Sequence, residues 1–271
     1  MAKSSVSRGR RRHSESEMGL WWLVIAVFAV VALVVVGFVY LRLTTVKPIL
    51  DKQTLCPLEG GAQSTTVVLL DTSDQWPEIT REEVRKRLEK LAEDVPDYGL
   101  LELRLMDPSV QGGRIMFSKC NPGSGVNESE ITANPRLMRR KWKEQFLTPL
   151  QQALDRTLTQ AETASSPILS TAQRIAVDHF DGKRPGHLIL VSDMIENTSD
   201  YSQYKGDFYY ERYKQSPAYK KQHTDLRGAD VTILYVQRLR MDSGKHIKFW
   251  TDWIRDNYGS ALEIKKLQGA Q

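Results

Sequence analysis

Cysteine and long apolar runs are both scarce in this sequence of 271 residues. The two cysteines, Cys56 and Cys120, are too few for a disulfide-dense scaffold or a four-cysteine zinc site. A single long apolar run excludes a multi-pass membrane protein. Charged residues make up 26% of the chain and apolar residues 41%, which is the balance of a folded protein rather than a disordered one.

The common signatures of enzyme active sites are also missing. The sequence contains no Gly-x-Ser-x-Gly elbow, no His-Glu-x-x-His motif and no Gly-x-x-x-x-Gly-Lys phosphate loop. Its five histidines are scattered and have no motif partners. These absences argue against an enzyme with a nucleophilic active site, and a metal-dependent hydrolase or phosphoesterase stays open as an alternative.

The one apolar run covers residues 20–41 and contains no charged residue. At about 1.5 Å per residue it makes a helix of about 33 Å, which is long enough to cross a bilayer. Trp21, Trp22 and Tyr40 lie near its ends, as is typical of membrane interfaces. The run is longer than the apolar part of a cleaved signal peptide, so we favour an uncleaved transmembrane helix over a signal peptide.

The basic tail in front of this run predicts the orientation of the chain. Residues 1–19 contain five basic and two acidic residues. Because positive flanks stay inside, we expect a cytoplasmic tail, one helix in the inner (plasma) membrane and an extracytoplasmic C-terminal domain, periplasmic in a bacterium. Binding of the tail to anionic headgroups is an alternative role, although topology already accounts for the charge.

Residues 42–61 form a linker, and residues 62–271 alternate buried strands with amphipathic helices. Apolar, β-branched runs predict strands at residues 65–70, 100–106, 114–118, 187–192, 231–237 and 262–265. Helical spacing predicts helices at residues 80–92, from 134 onward with a break or a kink at Pro149, 170–179 and 245–257. The alternation predicts an α/β fold, a doubly wound and mainly parallel sheet with helices on both faces.

Polar side chains follow two of the predicted strands at the point where each strand ends. Asp71, Ser73 and Gln75 come directly after the first strand, and Asp193 comes after the strand at 187–192. Ligands of open parallel sheets bind outside the carboxyl ends of the strands. Hydroxyl and carboxylate oxygens suit Mg²⁺, Mn²⁺ or Ca²⁺, although both aspartates could instead cap helices or hold loops.

Three segments in this order, VVLLDTSDQ, SSPILSTA and LILVSDM, resemble a von Willebrand factor A (vWA) domain. The family signature is Asp-x-Ser-x-Ser after the first strand, Thr in a later loop and Asp after the fourth strand. The resemblance covers about residues 62–268 and implies a vWA/Rossmann-like fold. It implies a metal-ion-dependent adhesion site whose divalent cation is held by Asp71, Ser73, Gln75, Ser166 and Asp193.

This sequence departs from the family signature at two positions. Gln75 stands where the family has its second Ser, and Ser166 stands where it has Thr, with Ser165 as a rival for that place. In the family the metal keeps one coordination position open for an acidic side chain of a partner. The resemblance therefore implies a membrane-anchored protein–protein interaction module in an envelope-associated assembly, and a metal-free scaffold of the same fold is the alternative.

Residues 201–224 are predicted to form an insertion after the Asp193 loop. Six of the ten tyrosines lie between residues 201 and 219, interleaved with basic residues. Because tyrosine is enriched at protein interfaces, Tyr209, Tyr210 and Tyr213 are candidate partner contacts, with packing on the domain itself as the alternative. Nucleic acid is not an expected partner of a translocated domain.

The two cysteines flank the first half of the domain. Cys56 precedes the first strand and Cys120 follows the third. In an oxidising compartment they could form one disulfide, and a free buried thiol at each site is the alternative.

Overall fold

The structure is a computed structural model that describes residues 14–44, 48–126, 134–159, 165–204, 206–239 and 241–270. The chain divides into two compact units, Met1–Pro48 and Ile49–Gln271. Residues 1–13, which hold most of the predicted basic tail, lie outside the described ranges.

The first unit contains one long helix, α1 (Ser14–Thr44). Its segment Trp21–Tyr40 is long and apolar enough to cross a membrane. The side chains of this segment are exposed all around the helix. An apolar helix with no polar face is the pattern of a segment that is surrounded by lipid.

The second unit is built on one six-stranded sheet in the order β3-β2-β1-β4-β5-β6. The strands are β1 (Thr65–Leu70), β2 (Leu100–Leu105), β3 (Arg114–Cys120), β4 (Gly186–Ser192), β5 (Asp230–Gln237) and β6 (Leu262–Ala270). All neighbouring strands are parallel except β2 and β3, which are antiparallel. The predicted doubly wound, mainly parallel α/β fold is confirmed.

Helices cover both faces of the sheet. They are α2 (Glu78–Asp94), α3 (Pro135–Trp142), α4 (Thr148–Leu158), α5 (Ile168–His179), α6 (Tyr210–Lys214), α7 (Pro217–Gln222) and α8 (Ser243–Asp256). Val67 and Leu69 of β1 pack in the cluster with α5 and α8, whereas Val68 and Leu70 pack in the cluster with α2 and α4. Because both sides of β1 are buried, its sequence is uniformly apolar rather than alternating.

The helical stretch continues past Pro149 without a break. A π-helical turn, Lys143–Leu147, joins α3 to α4, and Pro149 lies in the first turn of α4. Proline has no N–H to give to a preceding carbonyl and its ring crowds that carbonyl. The wider π turn accommodates the proline, and the helical path continues through it.

The last strand is longer than the four residues predicted at 262–265, since β6 runs to Ala270. Two side chains of α2 form hydrogen bonds with the second half of β6. Thr80 donates from Oγ1 to the Gln268 carbonyl at 2.7 Å, and the Gln268 N–H donates to Glu83 Oε2 at 2.6 Å. These contacts join residues that are far apart in the sequence, so local patterning does not reveal them.

Candidate functional site

The site lies where the sheet reverses its winding direction, between β1 and β4. From β1 the chain adds β2 on one side and later returns to add β4 on the other. Asp71 follows β1, Asp193 follows β4 and Arg238 follows β5. These three strands are neighbours and parallel, so their carboxyl ends meet at one edge, which is the usual ligand position in open α/β sheets.

Asp71 is buried and is the centre of a hydrogen-bond network. Its Oδ2 accepts from Ser166 Oγ at 2.6 Å and from Ser192 Oγ at 2.8 Å. Its Oδ1 accepts from the Ser73 N–H at 3.1 Å. The structure therefore brings together Asp71, Ser73 and Ser166, three of the predicted site residues.

Ser166, and not its rival Ser165, faces Asp71. The Ser166 backbone pairs with Asn197 in both directions at 3.0 Å, which ties it to the loop after β4. Ser165 donates its hydroxyl to the Asn197 carbonyl at 2.8 Å. Consecutive side chains of an extended segment point in opposite directions, so only one of the two serines can reach Asp71.

A strained turn positions Asp193. The next residue, Met194, is buried and has a φ of 66°, in the left-handed region that non-glycine residues rarely adopt. Its carbonyl accepts from Trp250 Nε1 at 2.8 Å and lies 3.0 Å from His246 Nε2. Strain of this kind persists only where surrounding contacts enforce it, and it is concentrated at functional sites.

Arg238 is a site residue that the sequence interpretation missed. Its Nε contacts Asp193 Oδ2, and its Nη2 contacts Asp74 Oδ2 in the loop after β1. Its guanidinium also lies 5.5 Å from the centre of the Tyr204 ring. One arginine thus joins three loops at the carboxyl ends of the strands. The available signal was a basic residue placed directly after the strand at 231–237.

Burial shapes the electrostatics of the acidic residues at this edge. Burial and the nearby Asp71 carboxylate raise the pKa of Asp193 to about 7, while contact with the Arg238 guanidinium favours the ionised form. Burial also raises the pKa of Glu196 to about 8. Glu196 Oε2 accepts from the Leu169 N–H at 2.9 Å, so this carboxyl caps the first turn of α5.

The described residues do not fit a resident divalent cation beside Arg238. The Oδ2 atoms of Asp193 and Asp74 already contact the guanidinium. Gln75 is exposed on the loop after β1. Within the described ranges no group of three or more His, Cys, Asp or Glu residues is arranged to hold a metal ion. The arrangement favours the metal-free alternative, and the divalent cation implied by the resemblance stays a prediction.

In the tyrosine-rich segment, residues 201–219, the structure buries two of the three predicted partner contacts. Tyr210 and Tyr213 are only 6% and 1% exposed and belong to the core, whereas Tyr209 is 59% exposed. The described part of the connection between β4 and β5 contains two short helices, α6 and α7, and its aromatic rings pack in the core cluster on one face of the sheet. Tyr213, for example, packs 4.9 Å from Tyr201 and 5.5 Å from Phe249, centroid to centroid. Packing on the domain itself therefore describes most of the segment.

Asp256, at the end of α8, accepts hydrogen bonds from two tyrosines of the tyrosine-rich segment. Tyr219 and Tyr210 donate their hydroxyls to Asp256 Oδ2 at 2.7 and 2.9 Å. Burial raises the pKa of Asp256, but these hydrogen bonds outweigh it, so the pKa lies below its ordinary value. Asp256→Asn is expected to lower the free energy of unfolding by about 1–3 kcal/mol.

The lowered pKa of Asp256 determines how its contribution to the free energy of unfolding changes with pH. A lowered pKa means that the unfolded chain takes up the proton first, so the contribution of Asp256 is complete above pH 4 and is lost as the pH falls below that value. Unfolding curves of the full chain measured between pH 3 and pH 7 should converge with those of Asp256→Asn at low pH. Asp252→Asn on the same helix is the control, because Asp252 pairs with the exposed Lys248. A constant difference across the range would contradict the prediction.

An exposed surface surrounds Arg238. Tyr204 is 55% exposed and Leu239 is 71% exposed. Between them lies a cleft of about 400 Å³ that is also lined by Phe208 and Met241. The carboxyl-end surface, defined by Tyr204, Phe208, Arg238, Leu239 and Met241, thus combines aromatic and apolar side chains with one arginine.

The solved structures to which this chain is similar include three vWA proteins. The ArnB paralog VWA2 from Sulfolobus acidocaldarius has a TM-score of 0.43 and 11% identity over 75% of this chain and 41% of that one. The SpRpn10 VWA domain has a TM-score of 0.39 and 9% identity over 76% and 90%. A von Willebrand factor type A protein from Catenulispora acidiphila has a TM-score of 0.35 and 12% identity over 73% and 43%.

All three TM-scores lie below 0.5, so no argument about fold or function rests on these likenesses. This chain spans less than half of the length of two of the three matched structures. No family model matches the sequence, and no curated protein matches it either.

Proposed function

We propose that this chain is a single-pass membrane protein whose extracytoplasmic vWA-like domain binds a protein partner, as a subunit of an envelope-associated assembly. The partner binds at the carboxyl-end surface, and no resident metal ion takes part. The observation that carries this proposal is the exposure of Tyr204 and Leu239 beside Arg238 at the switch point of the sheet. Exposed aromatic and apolar side chains around an arginine are typical of interaction surfaces.

Two features support the membrane topology. The apolar segment Trp21–Tyr40 has the length of a transmembrane helix. Cys56 and Cys120 are joined by a disulfide, and disulfides persist in oxidising compartments outside the cytoplasm. The disulfide therefore supports the proposed position of the second unit outside the cytoplasm, which is also the orientation that the basic tail predicts.

A hydrolytic enzyme is the weaker candidate. A metal-dependent hydrolase needs a cation with an open coordination position, and in this site the carboxylates of Asp193 and Asp74 contact Arg238 instead. Turnover of a phosphoester that Asp71→Ala abolishes would support the enzyme over the interaction module.

Site-specific photocross-linking tests the interaction surface. A photoreactive amino acid is placed at position 204, 239 or 115 of the full chain in its native membrane. We expect one discrete cross-linked product of the same mass from positions 204 and 239. Position 115 is the control, because Ile115 is also exposed but lies on the edge strand β3. Equal products from all three positions, or none from 204 and 239, would contradict the proposal.

A further inference from the structure

The carboxyl ends of β1 and β4 bring three aspartates to one edge of the sheet. Asp71 and Asp74 belong to the loop after β1, and Asp193 belongs to the loop after β4. Asp71 and Asp193 are almost completely buried. Like charges in a poorly hydrated site repel each other strongly, so a positive charge from a metal ion or a side chain stabilises this cluster in its ionised form.

Arg238 supplies that positive charge. Its guanidinium contacts Asp193 through Nε and Asp74 through Nη2, and only 22% of its side chain is exposed. A guanidinium is permanently charged and presents five N–H donors in a planar fork that matches carboxylate oxygens. It can thus join two carboxylates from different loops, which is also what a bridging cation does.

Further oxygens of the donor set accept hydrogen bonds from groups within the protein. Asp71 Oδ2 accepts from two serine hydroxyls, those of Ser166 and Ser192. Asp193 Oδ1 accepts from the Ile195 N–H at 2.9 Å. A divalent cation requires several free oxygen ligands and would lie close to a positive guanidinium. The donor set and the charge both disfavour a metal ion while Arg238 is in place.

We propose that Arg238 is a built-in cation that takes the place of the divalent metal ion implied by the family resemblance. The site then holds the loops after β1, β4 and β5 together without a metal. A consequence follows for variants of this residue. Removing the positive charge leaves the aspartates and Ser166 without a cation, and the site should become able to bind a divalent ion.

Binding of Mn²⁺ to the full chain in detergent tests the proposal, because the paramagnetic resonance signal of free Mn²⁺ falls when the ion binds. The wild-type chain is expected to leave the signal unchanged at millimolar Mn²⁺. Arg238→Ala is expected to bind about one ion per chain, since Asp193 Oδ2 and Asp74 Oδ2 then no longer face a guanidinium. Adding Asp71→Ala to that variant should abolish the binding, because it removes a central ligand.

Two further variants keep the test decisive if Arg238→Ala does not fold. Arg238→Gln removes the charge but keeps much of the side-chain volume, and it should gain Mn²⁺ binding. Arg238→Lys keeps the charge and should bind no more Mn²⁺ than the wild type. Stoichiometric Mn²⁺ binding by the wild-type chain, lost in Asp71→Ala, would overturn the proposal, as would a folded, uncharged variant that binds none. The cross-linking experiment does not measure metal, so the two proposals can fail separately.

Discussion

Replacing Glu102 with glutamine is expected to lower the free energy of unfolding by about 3–5 kcal/mol, because it leaves a buried arginine without its counter-charge. Glu102 and Arg104 lie on β2 and are only 3% and 5% exposed. Arg104 Nε lies 2.5 Å from Glu102 Oε1, and His179 Nε2 lies 3.0 Å from the same oxygen. Ser118 donates to Glu102 Oε2 at 2.8 Å, so the carboxylate is fully engaged.

Lowering the pH should remove the same contribution of Glu102 to the stability of the wild-type chain. Burial opposes ionisation, but contacts with His179 and Arg104 outweigh it and lower the pKa of Glu102 from 4.5 to about 2. The unfolded chain therefore binds the proton first, and this stability is present above pH 4.5 and lost as the pH falls toward 2. The Glu102→Gln variant lacks this component of the acid dependence.

Urea unfolding of the full chain in detergent, followed by near-ultraviolet circular dichroism, measures the effect. Glu59→Gln is the matched control, because Glu59 is exposed and the substitution is chemically identical. A double variant, Glu102→Leu with Arg104→Met, should lose much less stability than Glu102→Gln, since it leaves no unpaired buried charge. A Glu102→Gln variant within about 1 kcal/mol of the wild type would show that the ion pair is not formed.

The second large effect concerns the disulfide between Cys56 and Cys120. The bridge joins residues 64 positions apart. In the loop-entropy description, closing a loop of that size lowers the conformational entropy of the unfolded chain and so stabilises the folded state by about 4 kcal/mol. It also attaches the segment before β1 to the end of β3. Cys56→Ala with Cys120→Ala is expected to lower the free energy of unfolding by about 3–5 kcal/mol.

Reduction provides an independent measurement of the same bridge. Dithiothreitol should lower the urea midpoint of the wild-type chain to a value near that of the double alanine variant. The reductant should leave the double variant itself unchanged, because the described part of the chain contains no free cysteine. If reduction leaves the wild-type midpoint where it was, the bridge either does not form or contributes nothing to stability.

Most of the fold could be predicted because buried parallel strands have a strong local signature. Runs such as TTVVLL and HLILVS are apolar throughout and end at aspartate. The sequence of β2, LLELRL, also reads as a strand. Its two charged residues gave no hint that they pair with each other inside the protein, because their partners His179 and Ser118 come from distant segments.

The candidate site could be predicted only in part for a similar reason. Asp71, Ser166 and Asp193 were found because a known pattern spaces them along the chain. Arg238 belongs to no such pattern, and only the folded sheet brings it beside Asp193. Tyr210 and Tyr213 show a different limit, since tyrosine fills cores as well as interfaces and composition alone does not separate the two.

The central claim is that the site at the carboxyl ends of the strands holds no metal ion. The thermal melting temperature of the unmodified full chain tests this claim most directly. It is measured in detergent with excess EDTA and then with millimolar Mg²⁺, Mn²⁺ or Ca²⁺. A ligand that binds only the folded state must raise its stability, by about 2.7 kcal/mol at a concentration of 100 times Kd. We predict the same melting temperature in all four solutions. A rise with any of the three ions that disappears in Asp71→Ala would contradict the metal-free account.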